Sequence, residues 1–289
     1  MERVPAVILL IEKKKEVILM KIKRVFLDMD GTLLNSQGQV SKRNARLIRR
    51  ANLPVTLISA RAPMEMSQAI DTLDLTDLQV GFNGGLIYRL EKGRVQPIYS
   101  QVMAQKDVQY LLNYIRQHFP QVSLSYYDLN NWYCDKIDEG IRYEHSLTGQ
   151  GPTFIQDEAR FLKAPINIFK IMMISFDQEE IQALERTLRQ LGMASVSIQR
   201  SGKAYLEITH IKAKKSAGLT YIFEKEKLSK ENTAAFGDGH NDLPMLNRVA
   251  YPIVMNNALA EIKKVAYRVT KSNDEDGVGY GIQKYLVKI

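Results

Sequence analysis

Residues 25–36 read VFLDMDGTLLNS, an apolar run that enters Asp28 and Asp30, one residue apart, and then Gly31. A buried strand that ends in this way sets two carboxylates at its C-terminal end. Unpaired, they repel each other and cost desolvation energy, so a compensating charge is expected, and a bound cation is the simplest one. A second acidic pair, Asp238 and Asp242, stands in FGDGHND. Ser59 closes the run PVTLISAR, Asn83 lies in the turn signal NGG, and Lys215 opens a helical stretch. A parallel sheet carries its ligand site outside the C-terminal ends of its strands, so these ends would meet at one rim. Four carboxylates gathered there form a hard-oxygen cage suited to Mg²⁺. The glycines beside both pairs permit tight turns and close backbone approach to an anion.

Each residue alone has a plainer reading. Asp28 fits an ordinary turn, Ser59 fits a helix N-cap, and Lys214 and Lys215 fit a solvated helix start. Their co-occurrence favours the site. His240 has no second histidine or cysteine for company and reads as a loop residue. Asn83, Gly84 and Asn256 fit either the lining of a substrate pocket or simple turns. Trp132, Tyr126, Tyr127 and Tyr133 read as packing residues, and Cys134 as a residue without chemistry.

The elements that must position these groups alternate. Strands are expected at 22–28, 54–61 and 78–88, the last running into Asn-Gly-Gly, with helices at 41–52 (Ser41 as N-cap) and 63–73 (Pro63 in the first turn). This is the rhythm of a doubly wound parallel sheet. From about residue 85 the rhythm changes to a hairpin, a helix at 106–118 and aromatic or alternating strands, as in an α+β insertion with an open antiparallel sheet. The α/β pattern returns near 213. The expected organisation is an N-terminal extension (1–19), a Rossmann-like core (20–84), an inserted α/β cap (85–205) and the rest of the core (206–289).

The 289 residues are 45% hydrophobic and 25% charged, with a formal charge of +8. The basic residues are scattered, with no RNA-binding signature or zinc-finger spacing, so no nucleic-acid partner is expected. The single cysteine excludes an internal disulfide framework and suits a reducing compartment. AVILLI at 6–11 is too short to span a bilayer and lacks a basic leader and cleavage site, so a cytoplasmic protein without a membrane partner is expected. Two readings stand for residues 1–19. Lys15-Glu16-Val17 can be encoded by AAG-GAG-GTN, which contains a bacterial ribosome-binding sequence just before Met20, so the segment is either translated upstream DNA or a real amphipathic extension.

The constellation resembles the haloacid dehalogenase-like (HAD) superfamily, and within it the Cof-type phosphatases. DMDGT at 28–32 is similar to the first family motif, Ser59 in ISAR to the second, the lysine of EITHIKAKKS to the third, and GDGHND at 237–242 to the fourth. The tail from VMNNALAEIKK resembles the family's closing segment. Ala60 and Ser216 stand where the family commonly has glycine, which touches loop geometry only. The resemblance points to Lys215 rather than Lys214. It implies a Mg²⁺-dependent phosphomonoester phosphatase working through an aspartyl-phosphate. Asp28 would be the nucleophile and Asp30 the general acid and base. Ser59 and Lys215 would hold phosphoryl oxygens. Thr32, Asn83, Gly84 and Asn241 would complete the substrate site. Asp28, the Asp30 carbonyl and Asp238 would hold Mg²⁺, with Asp242 close by or through water.

The implied partner is a small phosphorylated metabolite. Sugar phosphates, nucleotides, pyridoxal phosphate and flavin-related phosphates stay open, as does the oligomeric state. A sugar phosphomutase and a non-catalytic phosphometabolite-binding protein are the alternatives. The intact acidic set argues against the second.

Overall fold

A computed structural model describes residues 22–287. Both readings of the N-terminal extension fall outside the described residues. The chain first forms β1 (Arg24–Leu27), β2 (Val55–Leu57) and β3 (Gln79–Gly81). It continues with the hairpin β4 (Leu86–Glu91) and β5 (Arg94–Ser100). Next come β6 (Ser123–Tyr127), β7 (Trp132–Cys134), β8 (Thr153–Phe154) and β9 (Lys170–Ile174). After β10 (Val196–Arg200) and β11 (Tyr205–His210), it closes with β12 (Thr233–Gly237), β13 (Tyr251–Val254) and β14 (Arg268–Val269).

The core sheet is parallel, in the order β14-β13-β12-β1-β2. Val25 and Leu27 face one apolar cluster, with the helices Lys42–Arg50, Pro63–Leu73 and Gly277–Gly281. Phe26 faces another, with the helix Lys215–Glu226. Both faces of the sheet are covered, which is why β1 reads as an unbroken apolar run. Ser41 caps its helix as expected, accepting from the Asn44 N–H at 3.0 Å.

The second sheet, β10-β11-β9-β6-β7-β8, is antiparallel except for the β7–β8 pair. Its alternation is two-sided. Ile171 and Met173 pack outward under the helices Gln105–His118 and Gln178–Gln190. Met172 and Ile174 join the core cluster instead. The architecture is a doubly wound α/β core with an inserted α+β cap.

Two details differ from the sequence reading. The expected strand at 78–88 is broken at Phe82–Gly84, where Phe82, Asn83 and Gly84 all take positive φ (49°, 56° and 95°). The chain reverses there, and β4 pairs antiparallel with β3. The hairpin expected in the cap from residue 85 is thus paired with β3, which joins β2 through the Ile58–Val80 bridge. At the other boundary, β11 runs to His210 inside the second sheet, past the expected return at 206. Both differences arise from pairing across distant segments, which local composition does not carry. Among the described residues, no helix is long and apolar enough to cross a membrane.

Candidate active site

β1 and β12 are hydrogen-bonded neighbours, so their C-terminal ends deliver Asp28 and Asp238 to the same rim. Asp28 is buried, and its N–H donates to the Phe236 carbonyl at 3.1 Å. The chain then turns at Gly31, where φ is +77°. A Cβ there would lie 2.5 Å from Asp238 Oδ2, so only glycine lets the turn pass this carboxylate. Thr32 is buried and donates to Asp238 Oδ1 at 2.8 Å.

Lys215 starts its helix with a side chain that is almost fully buried. It donates to Asp28 Oδ1 and, at 2.8 Å, to Asp242 Oδ1. Lys214, its alternative in the sequence, is exposed. Asp242 Oδ2 accepts from the N–H groups of Asp238 and Gly239 at 3.0 Å each. Both Asp242 oxygens are thus engaged, whereas Asp28 and Asp238 each keep one oxygen without a hydrogen bond among the described residues.

The electrostatics follow from three carboxylates facing one lysine. Burial, then the Asp242 charge, raises the Asp28 carboxyl well above its ordinary value, against the pull of Lys215. Burial lifts Asp238 to about 6, with Thr32 opposing and Asp242 adding to the rise. Burial works against the Lys215 ammonium, but Asp242 and Asp28 outweigh it and raise its pKa.

The donor set fits a hard divalent cation. Carboxylate oxygens of Asp28, Asp238 and Asp242 all lie within 4.8 Å of one another, and the negative charge exceeds what Lys215 neutralises. The Asp30 side chain is not in this group. Its carboxylate is 58% exposed and receives the Arg61 guanidinium, at 2.7 Å from Nη2 and 3.0 Å from Nε. Desolvation would raise the Asp30 carboxyl, but the hydrogen bonds and charge of Arg61 prevail and hold it below its ordinary value.

Ser59 ends the β2 segment, with its N–H on the Val80 carbonyl at 3.0 Å and its Oγ accepting from the Arg61 N–H at 3.1 Å. Asn83 and Gly84 are drawn to the same place, but behind it. The Asn83 N–H donates to the Ser59 carbonyl at 2.9 Å, and a Cβ on Gly84 would collide with the Lys214 carbonyl. Asn83, Gly84 and Thr32, read as substrate-binding residues, thus buttress the loops that carry Ser59, Lys215 and Asp238. None of the three lines the cavity. Asn241 does line it, exposed in the 3-10 turn His240–Asp242. His240 is paired with Glu261 at 2.6 Å. Asn256 does not line the cavity, whereas its neighbour Asn257 donates to the Gly31 carbonyl at 2.8 Å.

The cavity measures about 580 Å³ and runs from Asp28, Asp30, Ser59 and Lys215 to the cap. Its other wall includes Arg61, Glu65, Glu144, Lys170, Tyr205 and Glu207, which the sequence reading left unassigned. A signal for two of them was present. Lys170 begins the apolar run KIMMI, and Glu207 is the one charged residue in YLEIT. Period-two alternation turns Lys170, Met172 and Glu207 toward the core face.

Glu144 accepts from Tyr205 at 2.7 Å, and Glu65 accepts from Tyr127 at 3.2 Å. Burial, then the Glu65 charge, raises Glu144 to about 7 from an ordinary 4.5. The folded state therefore favours protonated Glu144. Its contribution to stability is complete below pH 4.5 and is lost as pH rises toward 7. Asp238 acts in the same direction over a lower window. We expect the metal-free protein, in chelator, to lose stability as pH rises from about 4.5 to about 7. Glu144→Gln should flatten that slope by on the order of 2 kcal/mol. An unchanged slope would remove Glu144 as its source.

Comparison with known proteins decides the family. A family model for haloacid dehalogenase-like hydrolases matches residues 25–282. The chain belongs to the haloacid dehalogenase-like hydrolases. It is 33% identical to a candidate phosphatase of Haemophilus influenzae, over 90% of this chain and 96% of that one. It is 29% identical to a 5-amino-6-(5-phospho-D-ribitylamino)uracil phosphatase of Bacillus subtilis, over 92% and 98%. Among solved structures, a haloacid dehalogenase-like hydrolase from Bacteroides thetaiotaomicron superposes with a TM-score of 0.82 at 26% identity, covering 91% of this chain and 99% of that one. This HAD hydrolase is a phosphoric monoester hydrolase, a phosphatase.

Proposed function

We propose that this HAD phosphatase hydrolyses a small phosphorylated metabolite through an aspartyl-phosphate on Asp28. The observation that carries the reading is the convergence of Asp28, Asp238 and Asp242 within 4.8 Å, with Lys215 bonded between Asp28 and Asp242. A Mg²⁺ ion held by Asp28, Asp238 and the Asp30 carbonyl, with Asp242 behind them, would neutralise charge between nucleophile and phosphate.

Asp28 attacks phosphorus in line, and the bond to the leaving oxygen breaks. Lys215 and the Ser59 hydroxyl hold the phosphoryl oxygens as charge shifts. Asp30 supplies a proton to the leaving alkoxide and then takes one from the water that attacks the phospho-Asp28 ester. That water's oxygen leaves with the phosphate, and Asp28 is restored. In its pair with Arg61, Asp30 is held ionised, the form needed for the second step. The first step requires this pair to loosen as substrate enters.

We assign the core to 22–100 and 211–287, and the cap to 101–210. The cap closes over the leaving group and excludes bulk water. The Bacillus relative is named for a phosphate on a ribitylamino group, which supports a small metabolite as the substrate class, not nucleic acid or a membrane. A cytoplasmic setting belongs to the same proposal, with Cys134 a free buried thiol.

A panel of phosphorylated metabolites tests the reading. With Mg²⁺ we expect free phosphate to be released, and with excess EDTA the rate should fall by roughly a hundredfold or more and recover on adding Mg²⁺. Isomerised product without phosphate would favour a mutase. Chelator-resistant turnover would remove the metal from the proposal.

A further inference from the structure

The cap wall of the cavity carries a buried pair that the phosphoryl chemistry does not use. Lys170 on β9 and Glu207 on β11 stand on adjacent strands, only 3% and 5% exposed. Lys170 Nζ donates to Glu207 Oε1 at 3.4 Å and to the carbonyl of Ala60, the residue after Ser59, at 3.3 Å. The other carboxylate oxygen, Glu207 Oε2, is buried and has no hydrogen-bond partner among the described residues. An unmatched buried acceptor is costly, so in a folded enzyme it points to a donor that arrives with a ligand. Glu207 and Lys170 line the same cavity as Asp28 and Lys215.

The surroundings select the donor. The Lys170 ammonium beside Glu207 repels a cationic group. Glu65 lines the same wall and repels an anionic one, and the Arg61 guanidinium on that wall is spent on Asp30. Arg200, at the rim, is spent on Glu185 and on the carbonyls of Gly202 and Lys203. A neutral hydroxyl fits between these limits.

We infer that Glu207, oriented by Lys170, is a specificity-determining residue whose free oxygen accepts a hydrogen bond from a hydroxyl on the substrate's leaving group. The enzyme thereby prefers neutral hydroxylated phosphomonoesters to alkyl or aryl ones. This rests on the phosphatase reading above.

The test uses the full-length protein with saturating Mg²⁺. Its substrates are a hexitol phosphate, the set of its mono-deoxy analogues and p-nitrophenyl phosphate. In the wild type, removing one particular hydroxyl should lower kcat/KM about tenfold or more, chiefly through KM. Glu207→Met fills most of the same space and offers that hydroxyl no hydrogen-bond partner of comparable strength. It should lower kcat/KM for the parent hexitol phosphate about tenfold further than for p-nitrophenyl phosphate, and the deoxy penalty should vanish. A wild type indifferent to every deoxy position, or an equal deoxy penalty in Glu207→Met, overturns the inference. If melting shows that the variant does not fold, the deoxy series on the wild type decides alone. A wild type that releases phosphate from no substrate, p-nitrophenyl phosphate included, fails the phosphatase reading itself and this inference with it.

Discussion

Asp28→Asn is expected to lower phosphate release by roughly ten-thousand-fold or more while leaving the protein folded. The amide has almost the shape of the carboxylate but no nucleophilic oxygen to accept phosphorus. The energetic side is equally specific. In the metal-free protein Asp28 sits beside Asp242 and Asp238, and burial with these charges raises its pKa. The neutral amide removes one of three crowded carboxylates while Lys215 keeps Asp242 as a partner. The variant should therefore melt no lower than the wild type in chelator. Acid-quenched wild type mixed with substrate should carry one added phosphoryl group by mass, and the variant none. Turnover within a hundredfold of wild type would reject Asp28 as the nucleophile.

The second large effect is expected at Lys215. Its side chain is 2% exposed and is bonded to two carboxylates that are themselves buried. Lys215→Met fills most of the same space but leaves Asp28 and Asp242 without their cation. Breaking a buried pair from one side costs about 3–5 kcal/mol, because the remaining charge is uncompensated. The loss should be smaller at pH 5.5 than at 7.5, since carboxyls with raised pKa values can take up protons instead of staying charged. Mg²⁺ should recover part of it. Catalysis should fall by roughly a thousandfold, since a donor to the phosphoryl oxygens is gone. Urea titrations at both pH values, with and without Mg²⁺, measure the first claim. A midpoint equal to wild type at pH 7.5 in chelator would contradict it.

How far these residues could be read from the sequence depends on how local their signals are. Asp28, Asp30 and Gly31 announce themselves within four residues, because a carboxylate pair at the end of an apolar run has few structural uses. Asp238 and Asp242 do the same. The choice of Lys215 over Lys214 came from resemblance, and the buried contact of Lys215 with Asp28 and Asp242 agrees with it. Asn83 and Gly84 stand beside the site, behind the loops that carry Ser59 and Lys215. A turn at a strand end and a turn supporting one have the same composition, and only the contacts to Ser59 and Lys214 separate them. Arg61 in ISAR carries no local signal of its role, since its partner Asp30 is 31 residues away. Lys170, Glu144 and Glu207 were harder still. Their roles arise where the cap faces the core, a surface created by folding that no window of sequence contains. The strand pairing that joins β3 to β2 and β11 to β9 also spans distant segments, and local composition does not carry it.

Phe82 takes a left-handed backbone conformation that a bulky residue adopts only at some cost. Its ring stacks on Phe169 of the cap at 4.7 Å, nearly parallel, and meets the edge of Tyr127. One apolar cluster therefore continues from beneath β1 into the inner face of the cap sheet, through Tyr127, Trp132 and Met172. The insertion is consequently not a cassette. Exchanging it for a relative's cap would strip the cover from Phe82 and leave a strained aromatic at the seam, unless the graft brought a ring to the position of Phe169. Modularity in this chain ends at that stack: a change of cap and a change of core must evolve as a matched pair.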